Sequence, residues 1–142
     1  MIKNIVFIAV LFSCSFASMD NFAKKNSYFT NYEKAKEYAQ KTQKSLMLVL
    51  VTNTCPWCEK LEKQTLNKNE VHSFIVQNFT PLILNRDEKQ YPSEKFVAKV
   101  VPSVFFINSH NEEIINTSFG YKPKNKFLNV LDQTILKSKE KL

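Results

Sequence analysis

Glycine is nearly missing: the 142-residue chain has one, Gly120. Collagen-like repeats, GxGxxG dinucleotide fingerprints and P-loops each need several glycines where backbone meets phosphate or a packed neighbour, so all three are excluded. Arginine is as scarce, since Arg86 stands alone among 20 basic residues and the rest are lysines spread along the sequence. Nucleic-acid readers gather basic residues on one face and use arginine for bidentate base contacts. The net charge of +7 therefore reads as a solvated surface, with no nucleic-acid partner. There is no long apolar run either, because residues 5–12 fall well short of the ~20 that a spanning helix needs. The length allows one domain and no second catalytic module. At 44% hydrophobic and 13% aromatic residues the chain is too apolar for disorder, and a packed core follows.

The first residues have the order of a secretory leader: Lys3, the apolar stretch 5–12, then small residues closing on Ser15-Phe16-Ala17. Residues 1–17 are expected to be a signal peptide cleaved after Ala17, residues 18–27 a polar lead-in without periodicity, and residues 28–142 the folded domain, placed in the periplasm. Leu11-Phe12-Ser13-Cys14 also resembles a lipoprotein box, in which Cys14 would carry the lipid anchor. Loss of the leader takes Cys14 with it in the first case, leaving Cys55 and Cys58 as the remaining cysteines. A lone dithiol kept in an oxidising compartment is one meant to cycle.

Apolar periodicity predicts a helix over 31–42, carrying Tyr32, Ala35, Tyr38 and Ala39 behind a cap at Thr30 or Asn31. The unbroken apolar run 46–51 predicts a strand buried on both faces. A helix over 56–65 is begun by Pro56, and another starts at Asn69 or Glu70, capped by Asn67 or Asn69. Next come a strand at 80–84, a charged loop at 85–92 and a short helix over 93–97. Strands at 103–107 and 113–118, joined by a polar turn, should be antiparallel neighbours. After the break at Gly120 and Pro123, Phe127, Val130, Leu131 and Ile135 give a closing amphipathic helix.

The chemistry is concentrated in Cys55-Pro56-Trp57-Cys58, which follows a buried strand and opens a helix. Unpaired N–H groups and the positive dipole end make a thiol at a helix start lose its proton more readily than a free cysteine. Cys55 is thus read as the nucleophile. The i to i+3 spacing sets Cys58 one turn on along the same face, as the resolving thiol. The same pair is also half of a zinc or copper site, or an inert disulfide. Tetrahedral zinc needs two more N or S ligands, and for these the mature chain offers only His72 and His110, at no metal-binding spacing. No metal and no organic cofactor is expected. Trp57 is either a substrate contact or a cover for the sulfurs.

These residues, with Lys44 to Leu50 before them, Glu59-Lys60-Leu61-Glu62 after them, Val101-Pro102-Ser103-Val104-Phe105-Phe106-Ile107, and Gly120-Tyr121, resemble the thioredoxin superfamily from about Tyr28 to Leu136. The similarity is to its secreted bacterial members, including the C-terminal reductase domain of the Dsb system. It implies an α/β thioredoxin fold with a central mixed β-sheet flanked by helices, and thiol:disulfide exchange. It implies a cis Pro102 beside the dithiol and a Val101 backbone offered to an extended substrate, with Pro56 and Trp57 completing the binding surface. The implied partners are thiols or disulfides of exported proteins and a membrane electron-donor protein, met by a monomer. Reductase chemistry is favoured over a dithiol oxidase, because no histidine lies between the cysteines. One departure stands out. The family's buried acid and lysine are replaced by Val49 and Ile83, leaving proton transfer to water, Glu59 or Glu62.

Overall fold

The computed structural model describes residues 16–140. The expected leader, Cys14 included, lies outside the described residues except for its last two positions. The elements are α1 (Phe16–Asn26), α2 (Tyr32–Lys41), β1 (Ser45–Val51), α3 (Pro56–Leu61), α4 (Asn69–Asn78), β2 (Phe79–Asn85), β3 (Ser103–Ile107), β4 (Ile114–Phe119) and α5 (Lys124–Glu140). A π-helical turn, Glu62–Leu66, continues α3 directly.

The sheet runs β2-β1-β3-β4, with β1 and β2 parallel and the other pairs antiparallel. This is the mixed sheet flanked by helices that the sequence predicted. β1 is central, and alternation of side chains along it builds two cores. Met47, Val49 and Val51 face the side covered by α1, α3, α4 and α5, with Phe106, Ile75 and Phe127. Leu46, Leu48 and Leu50 face α2 and meet Phe96, Phe105 and Ala35. Strand β2 lies at one edge, where Pro81 is tolerated. Its outer side is closed by Phe29, whose N–H donates to the Pro81 carbonyl and whose own carbonyl accepts from the Ile83 N–H, both at 2.9 Å.

Asn31 caps α2, its Oδ1 accepting the Lys34 N–H at 3.0 Å. The same helix is tied to the β3–β4 turn by the Tyr32 hydroxyl, which donates to Glu112 at 2.8 Å, and by the Lys36–Glu112 ion pair at 3.3 Å. These bonds hold the Glu112 carboxyl below its usual range, the Tyr32 bond first.

Four readings of the sequence are corrected. The polar stretch taken as lead-in is helical through α1, which buries Ala23 and packs Met19 and Phe22 on the first core. The helix expected over 93–97 is a single turn in which the Lys95 and Phe96 N–H groups share the Pro92 carbonyl. It ends because Phe96 is drawn wholly into the second core. A short 3-10 turn, Arg86–Glu88, stands instead in the region read as loop. The cap expected for α4 at Asn67 or Asn69 is Lys68, with no side-chain bond.

Candidate active site

The buried strand β1 delivers the chain to Cys55, the cap residue of α3. Its backbone is extended (φ −135°, ψ 93°), its Sγ accepts the Cys58 N–H at 3.2 Å, and Pro56 fills the first helical turn. One helical turn brings Cys58 back to the same face. The two are joined in a disulfide with Cα atoms 5.2 Å apart. Both sulfur-bearing residues are buried, Cys58 (2% exposed) more deeply than Cys55 (8%).

Trp57 stands outside them with 56% of its surface exposed. Its ring lies 5.9 Å from that of Tyr121. The Lys60 ammonium lies 4.9 Å from the Trp57 ring centre and 4.7 Å from that of Tyr121, so one cation engages two aromatic faces. The Val101–Pro102 peptide bond is cis, in agreement with the resemblance. Trp57, Val101, Gly120 and Tyr121 line an open groove of about 400 Å³. Among the described residues neither the N–H nor the C=O of Val101 takes part in a hydrogen bond.

The Gly120–Lys122 wall of this groove is fastened at several points. The Gly120 N–H donates to the Pro102 carbonyl at 2.8 Å, and the φ of +74° there is one that glycine adopts without strain. The Thr65 hydroxyl, fully buried in the π turn, donates to the Lys122 carbonyl at 2.6 Å. Tyr121 donates to Gln64 Oε1 at 3.2 Å, and Lys124 pairs with Glu70 at 2.8 Å.

Behind the disulfide is a cavity of about 20 Å³, lined by Ser18, Met19, Asn53, Cys55, Cys58 and Glu62 among others. It has room for roughly one water molecule. Glu62 follows Cys58 by four residues, the spacing that stacks side chains on one helix face. It is only 7% exposed, and its carboxyl is pushed up to about 7, first by burial and then by the charge of Glu59, with Lys63 opposing. Glu59 also lines the cavity, but over half of its side chain is exposed and it pairs with Lys63 at 3.7 Å. The Tyr28 hydroxyl is buried with no hydrogen-bond partner among the described residues. Burial, then Glu62, raises its pKa far above the usual value.

Val49 and Ile83 are register partners across β1 and β2 and fully buried, so no charge lies at the positions the resemblance marks for acid and lysine. Of the two carboxylates the sequence left open, Glu62 is the one enclosed with the sulfurs. The Lys60 contact and the contribution of α1 were not foreseen. Spacing could have signalled the first, since Lys60 follows Trp57 by three residues. Among the described residues no three His, Cys, Asp or Glu side chains form a group able to hold a metal ion.

The family model for a thioredoxin-like domain matches residues 32–135. No curated protein matches. Among solved structures, a thioredoxin from Thermus thermophilus is similar at 22% identity and TM-score 0.69, covering 78% of this chain and 88% of its own. The oxidised C-terminal domain of DsbD from Neisseria meningitidis is similar at 17% identity and TM-score 0.62, covering 75% and 98%. A DsbH oxidoreductase reaches TM-score 0.65 at 15% identity, covering 75% and 82%. A family match across most of the chain, on a fold that sets two bonded cysteines at the head of a helix, leads to one assignment: the chain belongs to the thioredoxin-like domain family and has the fold of its thiol:disulfide oxidoreductases.

Proposed function

We propose that the protein is a periplasmic reductase of disulfides in exported proteins, with Cys55 as nucleophile and Cys58 as resolving thiol. The observation that carries this is the Cys58 N–H directed at Cys55 Sγ, which favours negative charge on the outer sulfur, while Cys58 sits deeper behind it. In the reduced protein the Cys55 thiolate attacks one sulfur of a substrate disulfide. That S–S bond breaks, a mixed disulfide forms, and the first substrate thiolate leaves and takes up a proton. The Cys58 thiol gives its proton to the Glu62 carboxylate, and the resulting thiolate attacks Cys55 Sγ. The Cys55–Cys58 disulfide closes as the second substrate thiolate departs. Two electrons have passed to the substrate, and a membrane-borne dithiol donor restores the pair.

Val101 and Pro102 take the extended substrate backbone, and Pro56 and Trp57 flank it. The unbonded N–H and C=O of Val101 suit strand addition. Glu62, with its pKa near neutrality, exchanges a proton at little cost at physiological pH. Among the described residues no helix is long and apolar enough to cross a membrane. The rival reading, in which the two thiols bind or deliver a metal ion, has no third protein donor grouped with them among the described residues.

The test uses Cys58→Ser, which should trap substrate proteins as mixed disulfides on Cys55 in a periplasmic extract. The intact reduced protein should reduce insulin disulfides, and Cys55→Ser should abolish both results. A reduced protein that holds zinc or copper stoichiometrically and leaves insulin oxidised would overturn the reading.

A further inference from the structure

Large exposed apolar side chains are few among the described residues, and Trp57, Val97, Val100 and Phe119 are four of them. Trp57 belongs to the groove already described. The other three, with Lys99, line a second open groove of about 360 Å³. The lining residues of the two grooves are neighbours in the chain, Val100 beside Val101 and Phe119 beside Gly120, so the grooves flank the cis peptide. The second groove lies toward the opposite side of the sheet, since the Phe119 ring packs edge-on against Phe105 of the second core at 5.8 Å. Lysines border both grooves. Lys99 lines the second, Lys60 lies over Trp57 and Tyr121 of the first, and Lys122 donates to the Phe119 carbonyl at 2.6 Å between them. No carboxylate lines either groove.

We infer that the second groove binds the segment of a substrate protein adjoining its target cysteine, and that this segment is extended, apolar and acidic. Its backbone pairs with Val101, an apolar side chain fills the space between Val97, Val100 and Phe119, and a carboxylate meets Lys99. The inference rests on the exchange reading of the dithiol and adds a substrate class to it. Apolar area removed from water holds the segment, and the lysines select its sign of charge.

The experiment compares disulfide-linked peptides in which leucine and glutamate flank the cysteine with twins carrying lysine for glutamate, and with glutathione disulfide. The reduced protein should turn over the acidic peptide at least tenfold faster than its basic twin. Val100→Glu and Lys99→Glu, both at exposed positions, should abolish that preference and leave glutathione disulfide reduction unchanged. Equal rates for the two peptides, or a preference that survives both substitutions, overturn the inference while the exchange reading stands. A cysteine-free acidic peptide, titrated into the oxidised ¹⁵N-labelled protein, reads docking without chemistry. Shifts at Val97, Val100 and Phe119 support the inference even if no disulfide is reduced, whereas shifts confined to the Trp57 groove refute it. A dimer in sedimentation that Val100→Glu dissociates also refutes it, by making a second copy the occupant.

Discussion

Replacing Glu62 by glutamine removes an ionisable group from the cavity behind the disulfide and keeps its shape. Because the native pKa is raised from 4.5 to about 7, the oxidised folded chain holds its proton more tightly than the unfolded chain between those values. The stabilisation from this proton is fully present below pH 4.5 and is lost as pH rises through 7, so the native protein weakens on the alkaline side. A shift of that size corresponds to roughly 3 kcal/mol at about 1.4 kcal/mol per pH unit. The glutamine variant carries no such dependence. At pH 8 it should therefore be more stable than the parent by up to roughly 3 kcal/mol, or roughly 10 °C in Tm for a domain of this size. At pH 4 the two should nearly coincide. Urea unfolding of the oxidised proteins at half-unit steps from pH 4 to 8 measures the difference. Parallel curves across that range would refute the claim that Glu62 is kept from solvent. The same substitution should slow closure of the Cys55–Cys58 disulfide about 100-fold near pH 7, as expected when a positioned proton acceptor is lost.

Thr65→Val removes the buried hydroxyl that holds the Lys122 carbonyl; a loss of about 1–2 kcal/mol in urea unfolding, with slower reduction of peptide disulfides, is expected. Tyr28→Phe deletes a buried hydroxyl that has no hydrogen-bond partner among the described residues, and calorimetry should show a gain of about 1 kcal/mol. Lys89 adopts left-handed backbone at φ 52°. Lys89→Gly relieves about 1–2 kcal/mol of that conformation but frees the unfolded chain by about 0.4–1 kcal/mol, so a net stabilisation near 0.5 kcal/mol should appear in the denaturant midpoint.

The strands were legible because burial on both faces leaves an unmistakable run: Leu46 to Val51 and Ser103 to Ile107 contain no charged residue, since no position there reaches water. The dithiol was legible from its place between such a strand and a proline-started turn. The role of Glu62 was not. Glu59 and Glu62 share a helix with the cysteines, and what separates them is the cover supplied by Ser18 and Met19 of α1. Among its residues whose burial is described, only Ala23 and Asn26 are buried, too few to show a period. Local signals also misplaced the 93–97 helix. A proline start and polar residues favour a turn there, but Phe96 is worth more in the distant core than in a second helical turn. Phe119 lies one residue past the strand expected at 113–118, and its place beside Val97 and Val100 was not legible, because those residues reach it only through the fold.

The bracing of the Tyr121 loop against the π turn bears on selectivity. With Thr65, Gln64 and Glu70 gripping three successive points between Tyr121 and Lys124, the rim beside the sulfurs is held to a set outline before any client arrives. A client is then accepted by matching a finished template, with little reshaping of the host and little freedom to surrender on contact. Such a surface gains speed with the sequences it suits and gives up the breadth that a pliable mouth would offer.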